Sequence, residues 1–125
     1  MSDRTTFGIR IKVSPRFLEQ ESGPGTWVYA YTVRISNEGN ENAQLMSRHW
    51  VIKDANDNVE EVRGAGVVGE QPKLEPGDFF MYTSYCPLNT PTGQMHGSYQ
   101  MVTDEGEEFD AIIEPFYFAP PSSLN

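Results

Sequence analysis

The sequence predicts a two-sheet antiparallel β-sandwich of seven or so short strands. Apolar residues recur with period two, turn residues punctuate the chain at short intervals, and no ten-residue stretch carries helical spacing free of Gly and Pro breakers. "FGIRIKV" (7–13) sets Phe7, Ile9, Ile11 and Val13 on one face and Arg10 and Lys12 on the other. "TWVYAYTVRIS" (26–36) repeats the pattern with Trp27, Tyr29, Tyr31, Val33 and Ile35. Such alternation marks strands with one buried face. β-Branched and aromatic enrichment places further strands at about 43–53, 59–63, 79–86, 94–103 and 109–118. Between them lie "SNEGNEN" (36–42), "DANDN" (54–58), "LEPGD" (74–78), "NTPTG" (89–93) and "DEGEE" (104–108). In "LEPGD", Pro76 presets φ and Gly77 accepts the positive φ that follows, a type II turn signature.

The 125 residues amount to one domain, 1–125, with an ordered core expected over about 5–120. Hydrophobic content of 38% with 12% aromatic residues suits a folded protein rather than a disordered one. No apolar run reaches the roughly 18 residues of a membrane span. "MSDRTTFGIRIKV" lacks the basic start and apolar block of a secretory signal. With a lone Cys86 and no internal disulfide possible, a cytoplasmic location is expected. The net charge is −9, and every Lys and Arg lies at or before Lys73, leaving eight acidic residues and no Lys or Arg from Leu74 onward. An acidic surface repels phosphate backbones, which argues against nucleic acid as a partner.

"GAGVVGEQP" (64–72) contains a G-x-G-x-x-G string. A dinucleotide fingerprint needs a helix opening at its last glycine, but Pro72, Pro76 and Gly77 follow here. The Lys-Ser/Thr ending of a P-loop is missing too. The segment is expected to connect or end strands. The other reading is an anion nest of backbone amides at Gly64, Gly66 and Gly69, assisted by the flanking Arg63 and Lys73.

"SRHW" (47–50), "GAGVVGEQPKLEPGDFFMYTS" (64–84) and "TGQMHGSYQM" (92–101) closely resemble the ApaG family of small bacterial proteins. The resemblance runs from the first strand to about Pro120. Its motifs fall on Gly64, Gly66, Val67, Val68, Gly69, Pro72, Pro76, Gly77, Gly93, Met95, Gly97, Tyr99 and Met101. It implies an immunoglobulin-like sandwich of the fibronectin type III kind, with about seven to nine strands. It brings no established enzyme activity. It further implies a discussed pyrophosphate role for the glycine string, protein-binding roles for related domains in larger eukaryotic proteins, and a link to cobalt and magnesium tolerance.

Other candidate chemistry is sparse. "DANDN" has EF-hand-like spacing at Asp54, Asn56 and Asn58. Val59 and Ala65 stand where that loop needs Gly and a bidentate Glu, so a hairpin turn is expected. "DEGEE" reads as a solvated acidic turn, with a weak oxygen-ligated cation as the alternative. His49, His96 and Cys86 lack metal-ligand spacing, and Ser84 lacks a nucleophile-elbow context. No catalytic residues, cofactor or metal are therefore assigned. The expected function is a non-enzymatic protein-interaction module; the alternative is a phosphate-, nucleotide- or cation-linked binding protein. The docking face is expected at the aromatic run Phe116, Tyr117 and Phe118 and the adjacent glycine loop. A protein partner or a second copy of the chain would sit there, steered by an acidic rim.

Overall fold

The computed structural model describes residues 1–121. Its strands are β1 (Ser2–Thr6), β2 (Ile9–Phe17), β3 (Trp27–Asn37), β4 (Ala43–Asp54), β5 (Val59–Ala65), β6 (Lys73–Leu74), β7 (Phe79–Leu88), β8 (Gly93–Thr103) and β9 (Glu108–Phe118). A single 3-10 turn lies between β2 and β3 at Glu19–Glu21. One sheet has the order β1-β2-β3-β7 and the other β5-β4-β8-β9, with the short β6 also paired to β4. All strand pairings are antiparallel. This is the immunoglobulin-like sandwich of the fibronectin type III kind, and no helix opens at Gly69.

Alternation builds the core. Ile9, Ile11 and Val13 of β2 and Tyr29, Tyr31, Val33 and Ile35 of β3 are buried. They face Leu45, Trp50, Met95, Tyr99, Ile113, Phe116 and Phe118 of the second sheet. Aromatic rings tie the two layers: Tyr29 stacks on Phe118 at 4.6 Å, and Trp50 meets Tyr31 edge-on at 5.4 Å. Pairs of this geometry contribute about 0.5–1.5 kcal/mol beyond their area burial.

Two irregularities reset the alternation. The β4–β8 register shifts between Leu45 and Ser47, and the β8–β9 register shifts between Met95 and Gly97. In the first, Met46 is the extra residue of a β-bulge, so the inward positions pass from Ala43 and Leu45 to Arg48, Trp50 and Ile52. At the second, Pro115 lies in the displaced part of β9, where a missing N–H removes no ladder bond.

The two open sides of the sandwich differ. On one, β1 approaches β9: Arg4 forms an ion pair with Glu114 at 2.9 Å, and the Ile112 amide donates to Thr6 Oγ1 at 3.3 Å. On the other, β5 and β7 are the outer strands of their sheets and a cleft opens between them.

Candidate functional site

The glycine string forms the rim of this cleft. Gly64, next to last in β5, lies opposite Arg48 of β4. Gly66 then turns with φ +61, and its amide donates to the Met46 carbonyl at 2.9 Å. Val67 and Glu70 exchange both backbone hydrogen bonds, at 2.8 and 2.9 Å, around a two-residue turn. The central residues Val68 and Gly69 have φ of 43° and 80°, the signs of a type I′ turn. The turn buries Val67 and leaves Val68 exposed at the cleft mouth. The Gly66, Val67 and Glu70 amides are thus committed to the backbone, and the loop is a hairpin tip.

The flanking cations lie elsewhere. Arg63 pairs across from His49 on the outer face, where its guanidinium lies 3.7 Å from Glu61. Lys73 forms an ion pair with Asp104 at 2.7 Å; this contact raises the lysine pKa, and together with Asn42 it lowers that of Asp104. The cation that serves the loop is Arg48. Its Nη1 donates to the Ala65 and Gly66 carbonyls at 3.0 and 2.8 Å. The guanidinium lies flat against Gly64, where an added Cβ would come within 2.7–3.0 Å of it. Gly64 is therefore glycine to make room for Arg48.

The cleft has a volume of about 440 Å³. Trp50, Ile52, Val62, Val67 and Met95 supply apolar walls, while Arg48, Tyr31, Tyr82, Ser84, Cys86 and Glu60 supply polar groups. The hydroxyls of Tyr82 and Tyr99 bond to one another. Burial raises the phenol pKa values of Tyr31, Tyr82 and Tyr99, with Arg48 pulling weakly the other way. Burial also pushes the Cys86 thiol up to about 11, which keeps it protonated and inert near neutral pH.

The aromatic docking run is corrected. Phe116 and Phe118 are 1% exposed and belong to the core, and Tyr117 alone faces outward, at 67%. Strand alternation across a two-sided sandwich forces this split. "DANDN" is the β4–β5 turn, with Asp54 Oδ1 accepting from the Asn56 and Asn58 amides at 2.8 and 3.0 Å. Among the described residues no three His, Cys, Asp or Glu side chains are grouped to hold a metal. Nor, among the described residues, is any helix long and apolar enough to cross a membrane.

Fold and cleft together define an immunoglobulin-like β-sandwich whose β1 and β9 edges meet along one side and which carries a polar-floored cleft along the other. The chain belongs to the ApaG family, because the ApaG domain model matches residues 18–103. It is 53% identical over 125 residues to protein ApaG of Anaeromyxobacter dehalogenans (strain 2CP-C), covering 100% of both chains. It is also 56% identical over 118 residues to protein ApaG of Methylorubrum extorquens (strain PA1), covering 93% of this chain and 91% of that one. A crystal structure of the ApaA protein from Bordetella pertussis superposes with a TM-score of 0.89 at 49% identity, covering 90% of this chain and 94% of that one.

Proposed function

We propose that this protein is a non-enzymatic interaction module of the cytoplasm, and that it docks a protein partner on the outer face of the β1-β2-β3-β7 sheet. The observation that carries the proposal is the outward row on β7. Phe79, Met81 and Tyr85 alternate on one face and are each more than half exposed. Exposed apolar rows on an outer strand are a liability unless they are used. Arg34 covers the Phe79 ring at 4.3 Å, and the register continues the face through Arg34 and Lys12 beside Met81, and through Ala30 and Arg16 beside Tyr85.

Charge supports the same face. A chain of net charge −9 sets Arg10, Lys12, Arg16 and Arg34 here, four of its nine Lys and Arg residues. Arg10 is held by Asp3 and Glu38 at 2.7 and 3.4 Å. Lys12, Arg16 and Arg34 have no ion-pair partner among the described residues. Aromatic anchors flanked by free cations fit a partner that presents an acidic segment. The basic partner expected from the acidic C-terminal half is replaced by this complementary one. The lone buried Cys86 suits a reducing compartment.

The double variant Phe79→Ser/Met81→Ser tests the reading by affinity capture from an extract of the host cell. Partners held by the wild-type chain should be weakened at least tenfold by the double variant and kept by Tyr117→Ser on the opposite sheet. Equal capture by the double variant, with its thermal melt unchanged, would overturn the assignment of this face.

A further inference from the structure

The β5–β7 cleft has features that the docking face does not use. Arg48 is the only Lys or Arg among its lining residues. It forms no ion pair among the described residues, and its two hydrogen bonds both leave from Nη1. Nε and Nη2 are therefore free to act together as a bidentate fork, the arrangement that matches a carboxylate. The fork is preorganised: two backbone carbonyls fix one end of the guanidinium and Gly64 supports its flat side.

Trp50, two residues along β4 from Arg48, forms an apolar wall of the cleft. It is 3% exposed and lines the cleft, with its ring edge-on to Tyr31 and Tyr99. The remaining wall is apolar, and a volume of about 440 Å³ lies in the range of small-molecule sites, about 300–1,000 Å³.

We infer that this cleft is a binding site for a small apolar monocarboxylate, with its carboxylate on Arg48 and its hydrocarbon or aromatic body against Trp50, Val67 and Met95. Charge selects a monoanion over a phosphate or pyrophosphate. One guanidinium faces one carboxylate, Glu60, which lines the same cleft four residues along β5 from Gly64, roughly 13 Å at strand rise. A polyanion would find a single cation in the cleft lining and the Gly66, Val67 and Glu70 amides committed to the backbone. Val68 supports the assignment. It is a β-branched residue held at φ +43 while its side chain forms the lip of the cleft, and positive φ is costly for that residue type.

The test is NMR titration of the full chain with 4-phenylbutyrate, naphthalene-2-acetate and octanoate. Naphthalene-2-acetamide serves as the uncharged control and inorganic pyrophosphate as the polyanion. At least one carboxylate should give saturable shifts confined to the Trp50 indole, Val67, Val68 and Met95, and should bind at least tenfold tighter than the amide. Arg48→Gln should abolish that tenfold preference. Gly64→Ala guards against a folding defect in that variant: Gly64 has an ordinary φ, and the three atoms nearest the added Cβ all belong to the Arg48 guanidinium, so the side chain gives way and the fork is displaced. It should weaken the carboxylate at least fivefold and leave the amide unchanged. The inference is overturned if no carboxylate gives saturable shifts at the cleft, if the amide binds equally well, or if pyrophosphate displaces the carboxylates.

Discussion

Gly66 and Gly69 stand three positions apart in one loop, yet a methyl group would meet different surroundings at each. At Gly66 an added Cβ would lie 2.2 Å from the Glu70 carbonyl oxygen, across the narrowest part of the turn. At Gly69 it would meet nothing within 4 Å, so only the backbone cost of φ +80 remains. Gly69→Ala should therefore cost about 1 kcal/mol and Gly66→Ala roughly 3 kcal/mol, read by urea denaturation. Equal losses would mean that the loop relaxes around Gly66. Phe116 and Tyr117 make a similar contrast on β9. Phe116→Ala should cost about 3–5 kcal/mol, and Tyr117→Ala should stay near zero. The sequence places three aromatics in a row but does not say which two face inward, since that phase is set by the register shift near Pro115. Arg48 escaped notice for the same reason. Extending the period from Leu45 points Ser47 and His49 inward, and only the extra residue Met46 turns Arg48 and Trp50 into the sandwich. Arg63 and Lys73 stand nearer the glycines in sequence, but their ion pairs are with Glu61 on the same strand and with Asp104 of the β8–β9 turn.

At the scale of the element, most of the strands were legible because each carries its own alternation. β2, β3, β4, β5, β7, β8 and β9 all lie within the expected windows or extend them by a few residues. β1 and β6 were not foreseen. "SDRTT" has no apolar alternation and depends on pairing with β2, whereas β6 is two residues long and depends on β4. Neither signal is local. The Val67–Glu70 turn is local but runs against propensity, since type I′ turns prefer Asn or Gly where Val68 stands. Val68→Asn should therefore stabilise the fold by about 0.5–1 kcal/mol. It should also weaken carboxylate binding, because the lip of the cleft is lost. A variant that gains stability and keeps full affinity would remove the strained valine from the account of the cleft.

For the molecule as a whole, the buried phenols and the thiol lie in the interior of the sandwich and shift in one direction. Burial raises the pKa of the Cys86 thiol to about 11 and that of the Tyr29 phenol to about 12, and it also raises Tyr31, Tyr82 and Tyr99. In the unfolded chain these groups ionise near their ordinary values, a thiol near 9 and a phenol near 10. Between the unfolded and folded values the unfolded chain has released protons that the native chain retains, so stability falls as pH rises. Below pH 8 both states are protonated at these positions and the groups have no effect on the balance. The thiol sets the onset, and at pH 10.5 it alone should remove about 2 kcal/mol. The buried phenols follow, each removing about 0.8 kcal/mol at the same pH where its folded value lies well above 10. Urea denaturation from pH 7 to 11 should show a plateau to about pH 8.5 and then a steepening decline. Cys86→Ala should move that onset upward by about one pH unit, whatever its effect on the plateau. A flat profile to pH 10.5 would mean that water reaches the tyrosines and Cys86 in the native state, and that the floor of the cleft is wet.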